Sequence, residues 1–190
     1  MATVSVPLSP VLASAAAPAP EGGPCVLQGL APVAGPGTVL LILGSFPGVR
    51  SLQLQQYYAH PQNQFWKILQ ALWPQHPLPG ASQPGGYAAR CRWLLDRGLG
   101  LWDVYARCTR SGSLDSAIRD AVPNDIAGLK LPRLKAVAHN GGESFRHARH
   151  TAQLGVPVHR LPSTSPANAS WTFERKLGAW RAVVAEQGLL

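Results

Sequence analysis

From Gly22 to Leu95 the chain has no aspartate or glutamate. Chemistry housed in that stretch is left to amides, hydroxyls, histidine and aromatic faces. Cysteine is scarce too: Cys25, Cys91 and Cys108 are the only three, and none forms a C-x-x-C pair. That removes the ligand set of a zinc ribbon or an iron–sulfur cluster. An odd, unpatterned count points to a reducing compartment. No apolar run approaches the length of a bilayer span. No Lys or Arg precedes Arg50, so the basic start of a secretory leader is missing. These absences set the expectation of a cytoplasmic protein that uses no metal or cofactor and makes no membrane contact.

What is present fits one α/β domain. The length of 190 residues and the 46% apolar content suffice for a substantial core. Residues 1–37 contain 20 Ala, Pro or Gly and a single charge. Such a segment buries too little to offset its ordering entropy, which predicts a mobile tail with Leu27 to Val33 docked on the domain. Residues 38–190 form the folded unit. Net charge is +8, and residues 130–190 carry nine Lys/Arg against three Glu. A basic surface gathered in one third of a small domain suggests a polyanionic partner, nucleic acid first.

Strand and helix patterns alternate along that unit. Val39–Leu43 is an apolar run of strand length. A helix is predicted over 62–72, with Phe65, Ile68, Leu69 and Leu72 on one face, and Trp73-Pro74 ends it. A second helix covers 86–97 and stops at Gly98. Residues 99–105 form a strand, followed by a turn at 110–113 and short helical pieces over 115–119 and 124–130. Leu134–Ala138 is a strand, 144–152 a helix and Val156–Leu161 a strand. The last helix, 171–186, has Phe173, Leu177, Trp180 and Val184 on one stripe. This alternation implies a parallel sheet covered on both faces. Polar loops follow three of the strands, over 44–48, 139–142 and 162–168. In a parallel sheet they share one edge, where α/β proteins place their sites.

The residues of those loops carry a more specific signal. Gly44-Ser45-Phe46-Pro47-Gly48 is followed by Tyr57-Tyr58-Ala59-His60-Pro61-Gln62-Asn63-Gln64-Phe65-Trp66, and later by Leu161-Pro162-Ser163-Thr164-Ser165-Pro166-Ala167. Together these segments resemble the uracil-DNA glycosylase superfamily, most closely its hypoxanthine-DNA glycosylase branch. Leu101-Trp102-Asp103-Val104, Gly112-Ser113-Leu114-Asp115 and Pro123-Asn124-Asp125 resemble that branch as well. The likeness spans about residues 38–185. It implies a three-layer α/β/α sandwich around a four-stranded, mainly parallel sheet. The implied activity is hydrolysis of the bond joining a deaminated base to deoxyribose, after the nucleotide has swung out of the duplex. One departure stands out. Where mismatch-specific relatives have a water-holding Asn in the first loop, and classical uracil enzymes an Asp, this chain has Phe46. No acid is expected near the loop to replace it.

The resemblance assigns roles to individual residues. Asn63 would orient the attacking water toward an oxocarbenium-like sugar, although an Asn at a helix start also suits a cap. Tyr58 would stack on the base, against the alternative of a core aromatic. Phe46 would wall the pocket, Ser45 would offer a hydroxyl and an N–H, and His60 would donate to base or phosphate. Gly44, Pro47 and Gly48 shape the loop. Asn140 would contact the base, or serve only as the turn residue of Asn-Gly. Ser163, Thr164 and Ser165 would pinch phosphates, while Pro166, Ala167 and Asn168 would fill the gap left by the displaced base. Lys67 follows Asn63 by one turn but carries no mark of activation. His147 and His150 are read as a solvated surface.

The expected partner is DNA bearing deaminated bases, bound by a monomer that leaves an abasic site. Two rival readings remain: a uracil or mismatch glycosylase, and a non-catalytic DNA-binding protein of the same fold. A soluble domain for a small anionic ligand is the plainest alternative.

Overall fold

The structure, a computed structural model, describes residues 26–190. The chain begins with β1 (Val26–Gln28). The apolar run forms β2 (Leu40–Gly44), followed by α1 (Val49–Leu54), α2 (Phe65–Leu72) and α3 (Gly86–Leu95). Next come β3 (Leu99–Asp103), β4 (Tyr105–Thr109) and β5 (Arg119–Pro123). Then follow β6 (Ala136–Asn140), α4 (Gly142–Phe145), α5 (Ala148–Thr151), β7 (Val158–Leu161) and α6 (Phe173–Glu186).

The main sheet has the order β3-β2-β6-β7, and all its pairings are parallel. β2 is central, and every one of its residues is buried. Side chains alternate across a strand, and β2 obeys this. Leu40 and Ile42 join a cluster with Phe65, Ile68, Leu69, Trp93, Leu94, Trp180 and Val184 of α2, α3 and α6. Leu41 and Leu43 face the other way, toward Phe46, Val104, Tyr105, Cys108 and Val137. That second face is covered in part by a small antiparallel sheet, β1-β4-β5, in addition to short helices.

Three differences from the sequence reading have physical causes. The 99–105 run is two strands: the chain leaves the main sheet after Asp103 and enters the antiparallel one at Tyr105. β5 is largely exposed, so it shows no apolar alternation to find. α1 is six residues long, too short to show a 3.6-residue period.

The end of the expected 1–37 tail packs on the domain, as expected for Leu27 to Val33. Residues 1–25 lie outside those described, but residues 26–37 belong to the domain. β1 pairs with β4. The Leu30 carbonyl accepts from Tyr57 Oη at 3.2 Å and from Trp102 Nε1 at 3.1 Å. Val33 and Leu101 exchange two backbone bonds of 2.8 Å. Truncation through Val33 removes the buried Leu30 side chain and strands these donors. We expect a loss of at least about 3 kcal/mol, a fall of about 10 °C in melting temperature. An unchanged melting curve would show that the segment contributes nothing.

Candidate active site

The carboxyl ends of β2, β3 and β6 and the segment after β7 surround a cavity of about 590 Å³. This is the size of a small-molecule pocket. Gly44 to Gly48, Tyr58, His60, Asn63, Asn140 and Ser163 to Asn168 all line it. The structure therefore gathers every site residue picked from the sequence around one space, though not always in the expected posture.

Asn140, the last residue of β6, is a clamp. Its Oδ1 accepts from Thr164 N at 3.0 Å, and its Nδ2 donates to Thr164 Oγ1 at 2.9 Å and to Tyr58 Oη at 3.0 Å. Both amide protons are used, so only one acceptor lone pair remains to offer a base. Thr164 is fully buried in this contact. Its hydroxyl is turned inward, away from the phosphate-pinching place that the sequence suggested. Ser163 and Ser165 keep their O–H groups, because their oxygens only accept backbone N–H bonds within the loop. Asn168 is tied by Nδ2 to Ser163 O at 3.0 Å, and its own carbonyl accepts from the buried Lys176 Nζ at 2.9 Å. Pro166 and Ala167 stay exposed at the tip.

Beneath Asn140, His139 fixes the strand end. Its Nδ1 lies 2.7 Å from Ser144 Oγ and its Nε2 2.9 Å from Thr151 Oγ1. Ser144 donates in turn to Leu43 O. Burial lowers the His139 pKa to about 4, so the ring is neutral and locks α4 and α5 under the sheet.

Tyr58 has a left-handed backbone, φ 52°, a strained state for an aromatic residue that its contacts must hold. Phe65 backs its ring at a centroid distance of 4.0 Å. Asn63 lies just ahead of α2, and its Oδ1 accepts from Phe65 N at 2.9 Å. This bond closes a side-chain turn one residue ahead of the Gln64 cap position, and the carboxamide still lines the cavity. His60 is exposed, with Nδ1 accepting from Gln62 N. Lys67 is exposed and is not among the lining residues; Arg50 is the lining cation. His147 packs edge-on against Tyr105, and among the described residues no three metal-ligating side chains converge.

The expectation that no acid stands in this site is overturned. The β2–β3 register sets Asp103 beside Gly44. Asp103 is buried, lines the cavity, and its Oδ2 has no hydrogen-bond partner. A second carboxylate, Asp115, accepts from Ser45 Oγ at 2.7 Å. Burial raises the Asp103 pKa to about 8, with a smaller push from Asp115 and an opposing pull from Arg110. Asp115 is also raised, again chiefly by burial. Arg110 donates from Nη2 to Pro47 O and lies 5.1 Å over the Phe46 ring. It thus braces the first loop from behind. Asp103 is far from the first loop along the chain, and the parallel sheet imports it from a neighbouring strand. A carboxylate ending the apolar run Leu99-Gly100-Leu101-Trp102 was the available signal. Leu114 stands 60% exposed at the rim between Ser113, which accepts from Val49 N at the start of α1, and Asp115, which accepts from Ser45 in the first loop.

Gly44 is required by this arrangement. A Cβ there would lie 2.3 Å from Asp103 Oδ1 and 3.2 Å from Tyr58 Oη. Gly44→Ala should therefore displace the Asp103 carboxyl and remove catalytic activity while the chain still folds. Wild-type activity in that variant would show that the crowding is relieved at no cost.

Comparison with known proteins places this geometry. The family model of the uracil DNA glycosylase superfamily matches residues 32–184. A hypoxanthine DNA glycosylase of Methanosarcina acetivorans is 34% identical over 160 residues, covering 83% of this chain and 98% of the relative. One of Methanosarcina barkeri is 36% identical over 153 residues, covering 80% and 94%. The solution NMR structure of a candidate uracil DNA glycosylase from M. acetivorans superposes with a TM-score of 0.74 at 32% identity, over 86% of this chain and 99% of that one. A match across most of the folded part, together with a polar cavity at the strand ends, makes the chain a member of the uracil DNA glycosylase superfamily.

Proposed function

We propose that this protein excises hypoxanthine from DNA by hydrolysing its N-glycosidic bond, leaving an abasic site. The observation that carries the reading is the cavity itself. It has ample room for a base, is backed by the stacked Tyr58–Phe65 pair, and is lined by the Asn63 amide and by no lysine among the described residues. The activity named for the two relatives agrees. A base reaches such a pocket only after leaving the stack. Phe46 and Tyr58 then contact its faces, and Asn140 and Ser45 reach its edge. Asn63 holds a water through the lone pair left free by its bond to Phe65 N. Once the C1′–N bond has stretched, the cation-like sugar accepts a weak nucleophile, so positioning suffices. Ser163 and Ser165 hold the backbone, and the 166–168 tip occupies the vacated place in the duplex. The rival preference for uracil finds less support, because Phe46 stands where the first loop would carry a water-holding group.

Asn63→Ala should lower single-turnover excision from inosine-containing duplex by at least about 100-fold. DNA affinity should stay near wild type, and the lost side-chain turn should cost only about 1 kcal/mol. The wild-type product should be free hypoxanthine and a strand that breaks only with alkali. Parallel substrates carrying uracil and xanthine define the range. Excision from uracil without excision from inosine overturns the proposal. A borohydride-trapped adduct overturns water as the acceptor.

Charge placement refines how DNA is bound. Lys130, Arg133 and Lys135 precede β6 and therefore sit at the end of the sheet away from the cavity. Five strand residues separate the ends by about 16 Å. In this reading the basic residues ahead of β6 do not contact the DNA that enters the cavity. Arg50 should account for about one unit of the log–log salt slope of DNA binding. Arg50→Gln lowers that slope, and replacing Lys130, Arg133 and Lys135 by Gln leaves it alone. The reverse result would place DNA on the opposite end of the sheet.

A further inference from the structure

We propose that Asp103 is the general acid that protonates the departing purine, and so the residue that selects hypoxanthine over uracil. The inference rests on the glycosylase reading above and adds a chemical role that none of the loop motifs supplied.

Asp103 is 4% exposed, its Oδ2 has no partner, and no ion pair reaches it among the described residues. An ionised carboxylate so placed is costly, whereas a neutral carboxyl needs only one acceptor for its O–H. The charged and titratable groups around it point the same way. Asp115, from the segment after β4, disfavours a second negative charge. Tyr57 and Tyr58 after α1, and Tyr87 on α3, are held neutral mainly by burial. Arg110 alone favours ionisation; it donates from Nη2 to Pro47 O and, among the described residues, forms no ion pair with Asp103. A protonated carboxyl that lines the cavity with an unpartnered oxygen is a hydrogen-bond donor waiting for an acceptor. Asn140 and Ser45 already spend their protons on Thr164, Tyr58 and Asp115.

Hypoxanthine offers such an acceptor at N7. In the reaction, the Asp103 O–H bond breaks and its proton binds N7 as the C1′–N9 bond breaks. The bonding pair stays with the purine, which leaves as the neutral N7–H tautomer. Water adds its oxygen to C1′ and releases one proton to solvent, from which the Asp103 carboxylate recovers its own. Uracil has no N7. It departs as an anion whose charge spreads over two carbonyl oxygens, so an acid gives it little. A site equipped with an acid therefore favours the purine.

Three measurements test this on the full-length protein with hypoxanthine and uracil duplexes. Asp103→Asn should lower hypoxanthine excision by about 100-fold or more at pH 7, while any uracil excision is unchanged or raised. Wild-type single-turnover excision of hypoxanthine should be full below pH 7 and fall as pH rises through about 8, because the acid must be protonated to act. A duplex with 7-deaza-2′-deoxyinosine, which lacks N7, should bind yet resist wild-type cleavage; this arm needs no variant to fold. Near-wild-type hypoxanthine excision by the variant, a flat pH profile, or ready cleavage of the 7-deaza substrate overturns the acid role. Equal loss on both bases by a folded variant also overturns it, because the carboxyl would then be merely structural. If the wild type releases no hypoxanthine at all, the glycosylase reading itself fails, a result distinct from the others.

Discussion

The Asn140 carboxamide holds the site together. Through two bonds to Thr164 and one to Tyr58 it joins the end of β6, the segment after β7 and the loop before α2. These three pieces come from distant parts of the chain and have no backbone reason to meet. Gln64 N adds a fourth tie by donating to Thr164 O at 2.9 Å. The network is buried, so a missing partner would leave an unsatisfied group at a cost of about 1–3 kcal/mol. That cost is what keeps a cavity of polar loops open and of one shape.

Below the clamp, the parallel sheet does the positioning. All four strands point the same way, so Gly44, Asp103, Asn140 and Leu161 end on one edge. The absent side chain of Gly44 is the space that the Asp103 carboxyl occupies. Arg110 then braces Pro47 and Phe46 from outside. The first loop is thus shaped by what it lacks at Gly44 and by a cation behind it, and its own side chains contribute the aromatic wall. Preorganisation of this kind lets a weak nucleophile suffice, because no reorganisation is left for the reaction step.

Much of this was legible in the sequence where a residue's role is local. The run Val39 to Leu43 could only be a buried strand, and the stripe ending in Trp180 and Val184 could only be a packed helix. Loops after strands marked the edge where the site lies. What stayed hidden depends on contacts between strands. Asp103 is one residue at the end of a short apolar run until the β2–β3 register sets it against Gly44. Thr164 reads as one of three phosphate-facing hydroxyls until Asn140 draws it inside. Lys130, Arg133 and Lys135 count toward a basic segment, but strand direction carries them to the far end. The docking of Leu27 to Val33 was legible from its apolar residues, but its strand pairing with β4 was not, because that too depends on a distant partner.

The central claim is that the cavity bounded by Gly44, Asp103, Tyr58 and Asn140 receives a deaminated purine turned out of the duplex. The most direct measurement is a crystal structure of the protein on a duplex carrying a 2′-fluorinated deoxyinosine, whose glycosidic bond resists cleavage. The account predicts hypoxanthine inside this cavity, with N7 within hydrogen-bond distance of Asp103 and a water held by Asn63 on the open face of C1′. A base left in the stack, or one lodged elsewhere on the protein, would contradict it.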